Sequence, residues 1–260
     1  MILRILSLLF VVSTLYGAAD EEKKVTVKFE VGMYSPTIGG TISNSATPST
    51  FKDDFAYQSS KATYAAAELL LNYDYVPNAS ISYFNMQEKQ DSTLSKSLKV
   101  ADVDFNSTVS SIVNYEVFNF TLYQDFKNKG AFFTIFGKHF YSGDVEFDVG
   151  VNTKLFLWKF QVTDTSTTSS PSWIEVKELI ALPYLGFKYY LYDFIAYASV
   201  SALSLKEASS SSYQAGLEYK VMKNLYFNAS YLQEQFTVVE LLDTVDFTTS
   251  GYRFGVEYAF

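Results

Sequence analysis

Cysteine is absent from the 260 residues, and histidine occurs once. No disulfide framework, thiolate metal cluster or thiol nucleophile is therefore available. Excess positive charge is lacking too. With 20 Lys and Arg against 28 Asp and Glu the net charge is -8, which argues against nucleic-acid binding, because phosphate recognition needs a basic face. Long apolar runs are missing downstream of the N-terminus: uncharged stretches such as residues 194–205 fall short of the ~18 residues a spanning helix needs. Helical spacing of apolar residues is absent as well.

What is present begins with a processing signal. Arg4 supplies a positive start, residues 5–15 are apolar, and Gly17-Ala18-Ala19 precede Asp20-Glu21-Glu22. This reads as a secretory signal peptide over residues 1–19, leaving one domain over residues 20–260. A membrane anchor is the weaker reading, since the apolar run is too short to cross ~30 Å of hydrocarbon.

The mature chain alternates with period two. Val25, Val27, Phe29, Val31 and Met33 are separated by Thr26, Lys28, Glu30 and Gly32, and the same rhythm recurs over residues 213–221, 225–231 and 252–260. Alternation gives each strand one apolar and one polar face. A soluble β-sandwich also alternates. Export, aromatic-rich apolar faces and the alternation of short turns with long polar loops favour a transmembrane barrel.

Tight breaks at Val76-Pro77-Asn78, Lys127-Asn128-Lys129-Gly130, Leu191-Tyr192-Asp193 and Met222-Lys223-Asn224 are four short turns. Residues 36–61, 87–108, 163–172, 207–211 and 240–244 are five outer loops. The expectation is an all-β, up-and-down antiparallel outer-membrane β-barrel of ten strands, both termini on the periplasmic side. Residues 131–149 keep one parity and 154–162 are read as a returning partner above the membrane. If that hairpin is embedded and residues 98–105 form a strand, the count becomes twelve; eight would leave alternating segments unpaired.

The ending Tyr252, Phe254, Val256, Tyr258, Phe260 resembles the terminal signal that outer-membrane barrels present to the barrel-assembly machinery. Val31-Gly32-Met33-Tyr34-Ser35-Pro36 followed by Gly39-Gly40, then Val76-Pro77-Asn78, Phe120-Thr121-Leu122-Tyr123 and Gly251-Tyr252-Arg253-Phe254-Gly255 carry a further likeness. Through them the chain resembles an uncharacterised family of proteobacterial outer-membrane β-barrel proteins of similar length. The resemblance implies that fold and compartment, and no activity. Asn119 and Gln124 stand where that family tends to carry acids.

Few residues suggest chemistry. His139 would have to be the general base of a serine hydrolase or acyltransferase barrel. Its parity with Phe133, Ile135 and Tyr141 puts it on the outward face near the outer rim, without identifiable triad partners. Asp144, Glu146 and Asp148 share a face, with Asp53-Asp54 in another outer loop. They are read as solvated acidic loops rather than a calcium site, since EF-hand spacing and its glycine are missing. The sequons at Asn78, Asn106, Asn119 and Asn228 are discounted as glycosylation sites given the bacterial type of export signal.

The inward faces are more informative. Lys28, Glu30, Glu68, Lys138, Lys188, Glu218, Arg253 and Glu257 are four bases and four acids, which predicts a mutually paired lumen network. A selective pore would carry a ring of one sign. The expected protein is a monomeric, non-enzymatic outer-membrane barrel with a narrow or occluded lumen and a structural or surface-interaction role, needing no cofactor or metal. Its expected partners are outer-membrane lipids and lipopolysaccharide, the assembly machinery and periplasmic chaperones. The alternatives are a channel for small or hydrophobic molecules and a lipid-modifying enzyme.

Overall fold

The structure, a computed structural model, describes residues 25–43, 48–71, 73, 75–94, 97–100, 103–105, 107–135, 138–166, 170–205, 208–240 and 243–260. The expected signal peptide lies outside them. Thirteen strands occur among the described residues: β1 (Val25–Ser43), β2 (Ser49–Thr50), β3 (Ala62–Leu71), β4 (Asn78–Thr93), β5 (Leu98–Val100), β6 (Val103–Phe105), β7 (Thr108–Ile135), β8 (Lys138–Asp164), β9 (Ser172–Leu191), β10 (Phe194–Ser204), β11 (Ala208–Met222), β12 (Leu225–Glu240) and β13 (Asp243–Ala259).

Ten of these close a ring. The order β13-β12-β11-β10-β9-β8-β7-β4-β3-β1 is antiparallel throughout, and β13 pairs back onto β1 from Lys28 opposite Ala259 to Ser43 opposite Thr244. Closure removes the two free edges that an open sheet would expose. The ten-strand expectation holds. Residues 98–100 and 103–105 do form strands, but β5 and β6 pair only with each other in a separate two-stranded sheet, so they add nothing to the ring.

The alternation seen in sequence is inverted relative to a soluble protein. Val31 and Met33 are 62% and 67% exposed on the outside, whereas Tyr34 and Ile38 are 1% exposed within. Along β8 the outward residues Phe147, Val149, Val151, Thr153, Leu155 and Leu157 are uncharged. At ~3.3 Å per residue and a tilt near ~45° that run climbs about 25 Å, the height of a barrel's lipid-facing band. Phe120, Leu122, Leu185, Leu217, Phe227 and Phe254 continue the band around the ring, all exposed. Tyr231 and Tyr252 meet edge to face on it, with ring centroids 5.5 Å apart.

One turn falls elsewhere than expected. The chain does not reverse at Lys127-Asn128-Lys129-Gly130; β7 runs on for 28 residues in all, and β8 is a single 27-residue strand. Gly130, at φ 69°, sits in a shift of register between Asn128 and Ala131. A glycine-bearing polar tetrapeptide suits a bulge as well as a turn, because both need the left-handed conformation. Residues 131–149 are therefore not one strand, and 154–162 do not return above the band: both belong to the β7–β8 pair. This hairpin continues past the last rung shared with β9, Asp144 opposite Tyr190, on the side where the short turns and both described termini lie.

Candidate functional site

The lumen is divided into three levels. At the long-loop end it is filled. The loop after β1 folds back into the barrel: Ser60 N–H donates to the Pro36 carbonyl at 2.8 Å, and the Asp54 carboxylate accepts from Thr50 N–H at 2.7 Å. This tongue delivers Phe51, Phe55 and Tyr57, each 0% exposed. Phe51 meets Phe160 and Phe247 edge on at 5.4 Å, and Phe55 meets Phe160 at 4.8 Å. Trp158, Phe156, Phe236, Tyr115 and Phe84 extend the aromatic mass toward the middle. Val100 and Phe105 of the β5–β6 hairpin join the same buried cluster, and Ser172 Oγ–H donates to the Val100 carbonyl at 2.9 Å.

Beneath this plug, Lys154 of β8 and Glu234 of β12 pair across the lumen at 2.5 Å, 1% and 2% exposed. Two charges leave water only when each offsets the other's desolvation. Lys154 Nζ also lies 5.9 Å from the Phe156 ring centroid, at the boundary of the plug.

Below lies a polar chamber of about 210 Å³, walled by Ser82, Asn119, Asn152, Tyr197, Gln214 and Asn228, among others. Tyr64 crosses it, donating to the Glu30 carboxylate while the Arg253 guanidinium stacks 3.7 Å from its ring centroid. Gly32 and Gly255 face each other across β1 and β13, and a Cβ on either would collide with the Tyr64 side chain.

The floor is ionic. Lys28 contacts Glu257 at 3.0 Å and Glu68 at 3.5 Å. Lys188 contacts Glu146 at 2.9 Å, Asp148 at 3.3 Å and Glu68 at 3.8 Å. Tyr123 donates to Glu68, and Tyr190 to Glu146 at 2.9 Å. Lys127 bridges Asp125 at 2.7 Å and Glu146 at 3.4 Å.

Of the eight charged residues expected here, Lys28, Glu68, Lys188 and Glu257 form the floor. Glu30 bonds to Tyr64 rather than to a base. Arg253 rests on Tyr64 and is in no ion pair with a described residue, so the expected mutual pairing does not extend to it. Glu218 lines the chamber. Lys138 pairs with Ile135 at the tip of the β7–β8 hairpin, beyond the floor. Its side chain lies outside the described residues.

Glu146 and Asp148 were expected in a solvated outer loop, but are 2% and 1% exposed inside the floor. Asp144 sits at the same end, its carboxylate accepting from Gly130 N–H at 2.8 Å. The misplaced turn at residues 127–130 explains both errors. It also moves His139, paired with Thr134 in the hairpin, to the end opposite the outer rim. Lys154 and Glu234 were missed, although each shares inward parity with its neighbours. The described charges lining the chamber are six acids (Glu30, Glu68, Asp148, Glu218, Glu234, Glu257) against four bases (Lys28, Lys154, Lys188, Arg253), so an even balance does not hold. At the terminus, Phe260 N–H donates to the Val27 carbonyl at 2.8 Å, and its ring meets Tyr258 at 4.7 Å and Phe29 at 5.7 Å.

No protein-family model matches the chain, and no curated protein matches it in sequence. Several solved structures resemble it. The translocator domain of the autotransporter NalP from Neisseria meningitidis is 12% identical, over 96% of this chain and 92% of that one, with a TM-score of 0.43. The outer membrane protease OmpT from Escherichia coli is 7% identical, over 91% and 96%, with a TM-score of 0.43. The attachment invasion locus protein Ail of Yersinia pestis is 9% identical, over 91% and 99%, with a TM-score of 0.36. The fold assignment rests on the chain's own strand pairing.

Proposed function

We propose that the chain is an integral outer-membrane barrel whose lumen is closed to through passage, with a structural or surface-interaction role rather than an enzymatic or channel one. The observation that carries this reading is the plug: a tongue of the chain itself, held by backbone hydrogen bonds, brings Phe51 and Phe55 against Trp158, Phe160 and Phe247 across the full lumen. The outward apolar band supports membrane residence, because an apolar belt on the outside of a closed ring has no soluble purpose. In this reading the short-turn end is periplasmic and the long-loop end faces outward. The protein works as a monomer among outer-membrane lipids and lipopolysaccharide, and the motifs shared with the proteobacterial barrel family fit that placement.

Absence of cysteine from the natural chain makes the closure testable. A cysteine at Ser82, in the chamber, should escape a membrane-impermeant thiol reagent added to intact cells, whereas one at Lys177, whose side chain is 65% exposed at the long-loop edge of the band, should react at once. Equal labelling at the two positions would overturn the closed-lumen reading.

Phe260 serves, in the same proposal, as the signal read by the assembly machinery and its periplasmic chaperones. Deleting it removes the backbone hydrogen bond to Val27 and the ring contacts with Phe29 and Tyr258, while the rest of the β1–β13 seam stays in place. Assembly in cells should fall several-fold, while the unfolding free energy of refolded protein changes by no more than about 1 kcal/mol. Unchanged assembly without Phe260 would remove this role.

A further inference from the structure

The chamber beneath the plug carries a feature that occlusion does not require. Six carboxylates line it against four basic side chains, and two of the acids are incompletely partnered although almost fully buried. Asp148, 1% exposed, has an Oδ1 without a hydrogen bond, and Glu234, 2% exposed, has an Oε2 without one. Glu218 is in no ion pair with a described residue. A buried acceptor left without a donor keeps its full desolvation penalty, and a charged one more so, so these oxygens call for a donor.

We propose that the chamber binds a small organic cation bearing two or more amino groups. A metal ion fits less well. Hard divalent cations need several oxygens converging at ~2.0–2.6 Å. Here the carboxylates stand on β1, β3, β8, β11, β12 and β13, around the whole wall, and no group of three metal-binding side chains occurs among the described residues. An extended cation spans such a wall, and each of its terminal primary ammonium groups supplies three N–H donors. Tyr184 and Tyr197 also line the wall, and aromatic rings attract ammonium groups. The plug bars the long-loop route, so the ligand arrives from the end where the short turns lie.

The test uses full-length protein refolded in detergent, with spermidine as the probe and thermal unfolding followed by circular dichroism. At roughly one hundred times its dissociation constant spermidine should raise the midpoint by about 5–10 °C. Magnesium chloride at matched ionic strength should not. Glu218 is in no ion pair with a described residue, so Glu218→Gln should fold normally while weakening spermidine about tenfold, and Glu175→Gln, on the outer part of β9, should have no effect. An equal shift with magnesium, an equal shift in Glu218→Gln, or no shift at all would each overturn the proposal and leave the buried oxygens to water. None of these outcomes bears on the cysteine labelling, so failure here and failure of the closed-lumen reading are separable.

Discussion

Truncating Trp158 or Phe160 to alanine is expected to lower stability by about 3–5 kcal/mol each, among the largest effects of any single substitution in this chain. Both are essentially inaccessible, at 1% and 0% exposure, and both pack against a loop as well as against the wall. Their removal opens a cavity that the rigid ring cannot collapse to fill, which places the cost toward the upper part of that range. The tongue should respond differently. Phe51→Ala removes a ring that touches Phe55, Tyr57, Trp158, Phe160 and Phe247, so the loop loses its anchor while the ten ring strands keep their hydrogen bonds. Limited proteolysis should then cut within residues 48–60 of Phe51→Ala and leave wild type intact there. Equal resistance in the two proteins would mean that the tongue is held by its backbone bonds alone.

Lys188→Met is the second large effect. Its ammonium group is shared by Glu146, Asp148 and Glu68, two of which are almost completely buried. Without it, three carboxylates face one another with only Lys28 and Lys127 nearby, each already engaged with a further acid. Removing one partner of a buried ion pair typically costs about 3–5 kcal/mol, because the remaining charge stays desolvated. Adding Asp148→Asn to Lys188→Met should restore part of the loss, with a coupling of about 0.5–3 kcal/mol in a double-mutant cycle read by urea unfolding. Strict additivity would show that the floor is a set of independent, water-screened charges.

Much of this architecture was legible in the residue order, for a physical reason. Side-chain period and strand face are tied one to one, so Val31, Met33, Phe254 and Val256 could be placed outside and Lys28, Glu257 and Arg253 inside before any pairing was known. Closure of the first strand on the last then brought Lys28 to Glu257. Parity does not fix height along the barrel. Gly130 is equally suited to a turn and to a bulge, and choosing the turn moved Asp144, Glu146, Asp148 and His139 to the wrong end. The plug was illegible for a different reason. Phe51, Phe55 and Tyr57 lie in a loop without periodicity, and what draws them inward is the apolar upper lumen built by Trp158, Phe160, Phe236 and Phe247, residues more than 100 positions away. Arg253 shows a third limit: charge and parity placed it in the lumen, but its preference for the Tyr64 face over a carboxylate depends on the room left by Gly32 and Gly255.

Single-channel recording of the refolded protein in planar lipid bilayers tests the closed lumen most directly. Wild type should insert without producing a steady conductance, and Phe51→Ala combined with Phe55→Ala should produce one, because the tongue that fills the long-loop end is then released. A large, stable conductance from wild type, equal to that of the double variant, would contradict the account.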